Sequence, residues 1–296
     1  MVENRGILNP ATGGAWSNFT PEQAFQEHRS SSKRLSTVIT MKMNKLTLLP
    51  LAATLLLASC EKDAEEVHAD LVHAPHANTV VAMSMAYTHN GAAFDTSMTL
   101  VDGMGTAFKV SELRFYISRI AFTDDNGDSI AAFPDKYLLV ELADGGQIRN
   151  IGELSGHLHE MTFGLGVDAE ANHTDPSMYG NQHPLGDFEL WWGWAIGRLF
   201  LTVDGRYDLD GDGVVEASPA DAAFSYHCGM DTLYTPMGLN VHTDADMGGN
   251  VVIPLDLNID TLMAQLNIAG DPVVHEVTPI TRALMDKLAA GLSHVE

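Results

Sequence analysis

The chain has few cysteines and few basic residues. Its 296 residues include 2 Cys, and 16 Lys and Arg stand against 39 Asp and Glu, which gives a formal net charge of -23 at pH 7. A nucleic-acid partner is not expected, because phosphate contacts need a positive face. Beyond Cys60 the chain holds only one thiol, Cys228, so no internal disulfide forms there, and the core and bound metal must supply stability.

The sequence also lacks catalytic motifs. It has no G-x-S-x-G nucleophile elbow, no H-E-x-x-H metalloprotease motif and no convincing Walker or dinucleotide-binding glycine pattern. The sequence His-Leu-His-Glu at 157–160 is too compressed for the metalloprotease motif. We therefore expect a binding protein rather than an enzyme.

Residues 41–60 have the organisation of a lipoprotein signal peptide. A short basic region begins at Met41, an apolar run covers 46–57, and Leu-Ala-Ser-Cys at 57–60 resembles the bacterial lipobox. The apolar run is too short to span a bilayer comfortably. We expect Cys60 to be lipidated and to anchor the protein in the bacterial cell envelope, facing the periplasm or the cell surface. A non-lipidated signal peptide is the alternative.

The signal peptide divides the chain into parts with different expected roles. An export signal works at the N-terminus, so we interpret residues 1–40 as an over-called upstream start. Residues 61–78 are acidic and Ala-rich and predict a flexible tether. The tether carries three histidines that could capture metal loosely, His68, His73 and His76. Residues 79–296 are expected to form a single domain.

Short alternating segments joined by Gly, Asp and Asn turns predict a mainly β fold, an antiparallel β-sandwich with short helices. One long or bent strand is predicted over 108–122. Strands over 239–243 and 250–257 are predicted to pair across the acidic turn between them. Thr278 as N-cap and Pro279 in the first turn predict a C-terminal helix over 279–292.

The segment from 166 to 229 concentrates chemically distinctive side chains. Three of the four tryptophans lie at 191, 192 and 194, and His227 follows on a predicted strand over 222–228. Alternation places His227 and Ser225 on one face of that strand and Cys228 on the other, so Cys228 is predicted to be a small buried hydrophobe. Spacing alone favours a structural, hydrogen-bonded histidine over a metal ligand at His227.

An aspartate run in the same segment resembles a calcium loop. Asp208, Asp210 and Asp212 occupy positions one, three and five, a glycine follows at six, and Glu216 occupies the ninth position. The twelfth position is Pro219, so the usual bidentate acid is missing. We expect structural calcium here, with a solvated acidic turn as the alternative.

A pair of histidines lies at the entrance of the predicted strand over 158–167. His157 and His159 are two residues apart and so share a face. That spacing can bind metal, but no third ligand is evident from the neighbouring sequence.

Four motifs in this order resemble the MbnP-like family of exported copper-binding proteins. They are Phe-Lys-Val-Ser-Glu-Leu-Arg-Phe-Tyr-Ile-Ser at 108–118, Gly-Val-Asp at 166–168 with Asn172, Trp-Gly-Trp at 192–194 with Gly197, and Phe-Ser-Tyr-His-Cys-Gly at 224–229. The resemblance covers roughly residues 79–270. The chain departs from the family where Arg119 replaces a frequent Asn, Arg198 a common Tyr and Trp191 a usual Phe, and in an insertion around 208–220.

The resemblance implies a copper site built from histidine and, in some members, from a tryptophan oxidised to kynurenine by a di-haem peroxidase-like partner. Carried over to this chain, it indicates His227 and either Trp192 or Trp194. His89, at the end of the first predicted strand, is inferred as the second imidazole. The expected function is copper storage, buffering or transfer. The alternative is a calcium-stabilised sandwich lipoprotein that binds a protein or a glycan and has no transition-metal role.

Overall fold

The computed structural model describes residues 77–217 and 219–295, which form two β-sheets and three α-helices. The expected upstream segment 1–40, the signal peptide 41–60 and the tether up to residue 76 lie outside the described residues. The first strand begins at Ala77, two positions before the expected start of the domain.

The first sheet has five strands. They are β1 (Ala77–His89), β2 (Ala92–Ala93), β6 (Arg149–Leu154), β11 (Met247–Asn258) and β13 (Leu292–His294). Their order is β13-β11-β1-β2, and β6 also pairs with β1. The β1–β11 pair is parallel and the other pairs are antiparallel.

The second sheet has eight strands. They are β3 (Leu100–Val101), β4 (Ala107–Thr123), β5 (Ser129–Glu141), β7 (His157–Leu165), β8 (Leu199–Tyr207), β9 (Ala222–Gly229), β10 (Thr235–Asp244) and β12 (Val273–Val274). The order is β10-β7-β4-β8-β9-β12, and β3 and β5 also pair with β4.

Alternating apolar side chains from both sheets form one buried cluster. On β4, Phe108, Val110, Leu113 and Phe115 are at most 1% exposed, and burial of each such side chain contributes about 1.5–3 kcal/mol. The alternation breaks where Arg119 adopts a φ of 54° at a register shift between Ser118 and its neighbours. Asn, which the resemblance leads one to expect at this position, tolerates this left-handed conformation better than Arg.

The mainly β architecture is confirmed, with sheets that are mixed rather than wholly antiparallel. The predicted pairing of the strands over 239–243 and 250–257 is wrong, because β10 pairs with β7 and β11 pairs with β1. Ala245, between β10 and β11, is buried and exchanges backbone hydrogen bonds of 2.9 and 3.4 Å with Gly156. This contact ends β10 against β7, and the chain then crosses to the other sheet.

The helices are short and lie in connections. They are α1 (Ala169–Asn172), α2 (Ile259–Met263) and α3 (Pro279–Gly291). The predicted C-terminal helix is confirmed as α3, and the Thr278 hydroxyl accepts from the backbone N–H of Thr281 in a capping box. α3 packs against α2 and β9 through Leu284, Met285 and Leu288. Within 77–217 and 219–295, no helix is long and apolar enough to cross a membrane.

Candidate metal centre

The outward face of β8 and β9 carries a group of polar side chains. Thr202 lies opposite His227 and Asp204 lies opposite Ser225 in the antiparallel register, and residues two apart on a strand share a face. The other face of β9 is apolar, since Phe224, Tyr226 and Cys228 are buried in the core. The pleat of β9 therefore directs His227 away from the core.

His275 lies beside His227 because the short strand β12 pairs in parallel with β9. The partners are Val273 with Ser225 and Val274 with Tyr226, and His275 is the next residue. Its ring stacks on the His227 ring with centroids 4.5 Å apart and planes 9° apart. His275 was not predicted from the sequence as a site residue. The available signal was a Val-Val pair followed by His, which does not reveal a parallel pairing with a strand about fifty residues earlier.

The indole of Trp192 contacts both imidazoles. Its centroid lies 5.3 Å from His227 and 5.2 Å from His275, with both pairs edge to face. We call His227, His275 and Trp192 the His–His–Trp cluster. One side chain of the cluster comes from β9 and one from the residue after β12. The third comes from the loop over 191–198 before β8, which we call the tryptophan loop.

Hydrogen bonds orient the two imidazoles through their Nε2 atoms. The Ser225 hydroxyl lies 3.0 Å from Nε2 of both His227 and His275. Nε2 of His227 also lies 3.2 Å from both carboxylate oxygens of Asp204. A proton on Nε2 that is donated to Asp204 leaves Nδ1 of His227 with a lone pair.

Nδ1 of His227 is buried and has no hydrogen-bond partner among the described residues. The hydroxyl of Thr202, on the paired position of β8, is buried without a partner in the same way. An unsatisfied buried polar atom costs about 1–3 kcal/mol and is usually explained by a water or an ion. The donor set therefore fits a metal ion that accepts imidazole nitrogen.

The charges around the cluster favour its metal-binding form. Burial raises the pKa of Asp204, but the hydrogen bonds from His227 and Ser225 lower it by more. The pKa of Asp204 therefore lies below its ordinary value. Burial lowers the pKa of His275, and the neighbouring His227 adds to this effect. Asp204 is thus an anion near neutral pH and His275 a neutral imidazole, the state that a metal ion requires.

Hydrogen bonds of the Asn172 side chain hold the tryptophan loop in place. The side-chain oxygen of Asn172 accepts from the backbone N–H of Arg198 at 2.7 Å, and its amide donates to Asp231 at 2.8 Å. Gly197 has a φ of 80°, and a Cβ there would overlap the Asn172 amide. Gly197 also accepts a hydrogen bond of 2.9 Å from the backbone N–H of Trp192. These contacts give the Asn172 and Gly197 motifs one shared role, which is to position Trp192.

Two of the residues that were expected at the copper site lie elsewhere. Nδ1 of His89 lies 2.5 Å from a carboxylate oxygen of Asp260, and its Nε2 lies 3.0 Å from the Asn90 amide. Trp194 is 66% exposed and packs against Trp191 at 5.6 Å. The structure thus brings together His227 and Trp192, joins His275 to them, and places His89 and Trp194 in other contacts.

Cys228 has no part in the cluster. Its side chain is fully buried, and its Sγ lies 3.6 Å from the backbone oxygen of Thr281 in α3. Burial raises the pKa of the thiol to about 12, so the thiolate that would bind a metal is scarce. This agrees with its interpretation as a small buried hydrophobe.

The aspartate loop brings three of its four expected ligands together. One carboxylate oxygen each from Asp208, Asp210 and Asp212 lies within 4.8 Å of the others. Asp208 accepts backbone hydrogen bonds of 2.7 Å from Gly211 and 2.8 Å from Gly213. The bond from Gly213 is the main cause of its lowered pKa.

Glu216 lies outside that group of carboxylates. Its backbone N–H donates to Asp221 at 2.6 Å, and its backbone oxygen accepts from Arg206 at 2.9 Å. Asp221 is only 6% exposed and also accepts from the backbone N–H of Leu209 at 3.3 Å. Asp221 therefore closes the loop by backbone hydrogen bonds.

The fold and the His–His–Trp cluster define the class of protein. It is a two-sheet β protein that carries two imidazoles and an indole on the outer face of one sheet. The model of the MbnP family matches residues 78–277, and the chain belongs to the MbnP family. That match includes His275. MbnP from Methylosinus trichosporium is a structural relative with 16% sequence identity and a TM-score of 0.46, over 70% of this chain and 87% of that chain. No curated protein matches the chain.

Proposed function

We propose that the protein binds copper through His227 and His275, with Trp192 in contact with both. The observation that carries the proposal is the buried Nδ1 of His227, which has no hydrogen-bond partner among the described residues and belongs to a ring stacked on the imidazole of His275. Imidazole is a good ligand for copper, and Cu(I) is satisfied by few ligands. Asp204 and Ser225 hold the His227 ring, as carboxylate and hydroxyl groups commonly do behind metal-binding histidines.

The proposed role is storage, buffering or transfer of copper in the cell envelope. Lipidation of Cys60 would anchor the protein to a membrane, and a di-haem peroxidase-like partner would oxidise a tryptophan. Trp192 is the favoured target because its ring contacts both histidines, whereas Trp194 faces solvent. An oxidised ring at position 192 would add a polar group beside the two imidazoles.

Copper titration of the purified chain tests the proposal. We expect one Cu(I) per chain in competition with a chromophoric chelator, and at least about 100-fold weaker binding in His227→Ala, because loss of a ligand costs at least as much as loss of its orienting partner. His294→Ala is the matched control, since His294 lies on β13 in the other sheet.

Equal copper affinity in wild type and His227→Ala would contradict the proposal. If wild type binds no copper tightly, mass spectrometry of the protein from its native host decides whether Trp192 must first be oxidised. An unmodified Trp192 in a native protein that binds no copper would also overturn the proposal.

The second candidate function is binding of a protein or a glycan by a fold that calcium stabilises, with no role for copper. The grouped carboxylates of the aspartate loop favour it. We expect calcium at 100 times its Kd to stabilise the fold by about 2.7 kcal/mol, which raises Tm by about 5–10 °C. In Asp208→Asn this calcium-induced rise should vanish, while Asp286→Asn, an exposed change on α3, should keep it. Asp208 also accepts backbone hydrogen bonds within the loop, so Asp208→Asn changes Tm even without calcium. The quantity compared is therefore the rise in Tm that calcium causes in each variant. A rise of equal size in Asp208→Asn would exclude calcium binding at this loop.

A further inference from the structure

A group of imidazoles and carboxylates lies at one end of β7 and β10 in the second sheet, beside the turn that follows β4. Asp125 is in the turn after β4, His157 begins β7, and His242 lies near the end of β10. They meet because β7 pairs with β4 on one side and with β10 on the other. One ligand atom from each lies within 4.8 Å of the others. We call this the Asp125–His157–His242 cluster.

A third imidazole, His159, borders the cluster. His159 is two residues after His157 and so projects from the same face of β7. Its ring meets the His242 ring edge to face at 4.5 Å. Its Nδ1 lies 2.9 Å from a carboxylate oxygen of Asp125 but makes no hydrogen bond there. The His159 ring therefore lies near the Asp125 carboxylate, but no hydrogen bond fixes its orientation there.

Asp244 orients His157 from behind. Its carboxylate lies 2.6 Å from Nδ1 of His157, in the cross-strand position that the β7–β10 register gives it. A proton donated from Nδ1 to Asp244 leaves the lone pair on Nε2, which lies 3.7 Å from Asp125. A carboxylate on the far nitrogen is the usual support of a metal-binding histidine.

A bulge in β10 brings His242 to the cluster. The register between β7 and β10 shifts between Asn240 and Thr243, and His242 adopts a φ of 36°. Such a conformation is costly for a residue other than Gly and tends to occur where function requires it. The bulge leaves Val241 buried in the core and His242 exposed against His159.

We propose that the Asp125–His157–His242 cluster, with His159 beside it, binds a divalent transition-metal ion of the zinc class. Imidazole nitrogens with a carboxylate oxygen suit Zn²⁺, which takes three or four such ligands. Calcium is disfavoured, since it prefers oxygen ligands throughout. The strongly acidic chain raises the local concentration of cations. This site lies at the β7–β10 edge and does not depend on the copper proposal.

Zinc titration with matched variants tests the site. The full chain is prepared without an affinity tag, and His68, His73 and His76 are changed to Gln in every variant so that they cannot compete. Zn²⁺ affinity is measured against a chromophoric chelator in the absence of copper. We expect one Zn²⁺ per chain, and binding at least about 100-fold weaker in His242→Ala and in Asp125→Asn, because loss of a ligand costs at least as much as loss of its orienting partner. Asp244→Asn, which removes only the support of His157, should weaken binding by about 10–100-fold.

His227→Ala separates the two sites, because it removes a ligand of the His–His–Trp cluster and leaves the β7–β10 edge intact. Zinc binding should survive in His227→Ala and be lost in His242→Ala, and copper binding should show the opposite pattern. Unchanged zinc affinity in both His242→Ala and Asp125→Asn would overturn the proposal, as would its loss in His227→Ala alone. Tm in metal-free buffer shows that each variant is folded.

Discussion

Arg198→Met is expected to destabilise the protein by about 2–5 kcal/mol, because it removes a fully buried donor from buried backbone oxygens. The guanidinium of Arg198 donates to the backbone oxygens of Ala171 and Leu185 at 2.7 Å and of Asn172 at 3.0 Å. After the change the oxygens of Asn172 and Leu185 lose their guanidinium donor, at about 1–3 kcal/mol each. The Ala171 oxygen still accepts from the Thr174 hydroxyl at 2.7 Å. The saved cost of burying the guanidinium offsets only part of this loss.

The neighbourhood of Arg198 explains how such a burial is tolerated. Its guanidinium lies over the rings of Tyr179 at 5.5 Å and Trp191 at 5.2 Å, and such cation–π contacts favour a desolvated cation. Burial lowers the pKa of Arg198, although an arginine still keeps its charge.

Thermal or urea unfolding measures the effect, and Arg282→Met is the matched control. Arg282 is exposed and its side chain makes one hydrogen bond, to the backbone oxygen of Thr232 at 3.2 Å. We expect Arg198→Met to lower Tm by about 10 °C and Arg282→Met to change it little. Equal Tm values for the two variants would mean that water replaces the guanidinium without cost.

The faces of the strands could be predicted from sequence, because side-chain alternation has a period of two. The alternation of 222–228 directed His227 outward and Cys228 inward, and the structure shows this arrangement. The capping signals of Thr278 and Pro279 located α3 in the same way. Signals of this kind are local, and each depends on residues within one strand or one turn.

Contacts between strands that are distant along the chain could not be predicted from the sequence. His275 reaches His227 through a parallel pair of only two residues, β12 with β9, which leaves no periodic pattern. His242 reaches His159 through a bulge, and a bulge reverses the face that alternation predicts. The imidazole that joins His157 and His159 therefore comes from a residue far along the chain, which the neighbouring sequence does not show. The inferred second imidazole, His89, rested on position alone.

His275→Ala is expected to weaken copper binding by at least about 100-fold, whereas His89→Ala should leave it unchanged. His275 stacks on His227 and touches Trp192, so its removal takes away one of the two imidazoles of the cluster. His89 is held by Asp260, a residue of α2. Among the described residues, its hydrogen-bond partners include no member of that cluster.

The pair of variants decides between two copper sites that share His227. Each is measured by Cu(I) competition with the same chelator, and Tm shows that the fold is retained. Strong loss in His89→Ala with normal binding in His275→Ala would mean that the chain rearranges to bring β1 to β9, and the His–His–Trp cluster would then be structural. Equal, moderate losses in both would indicate an effect on the fold rather than on ligands. Only selective loss in His275→Ala assigns the second imidazole to the residue that follows β12.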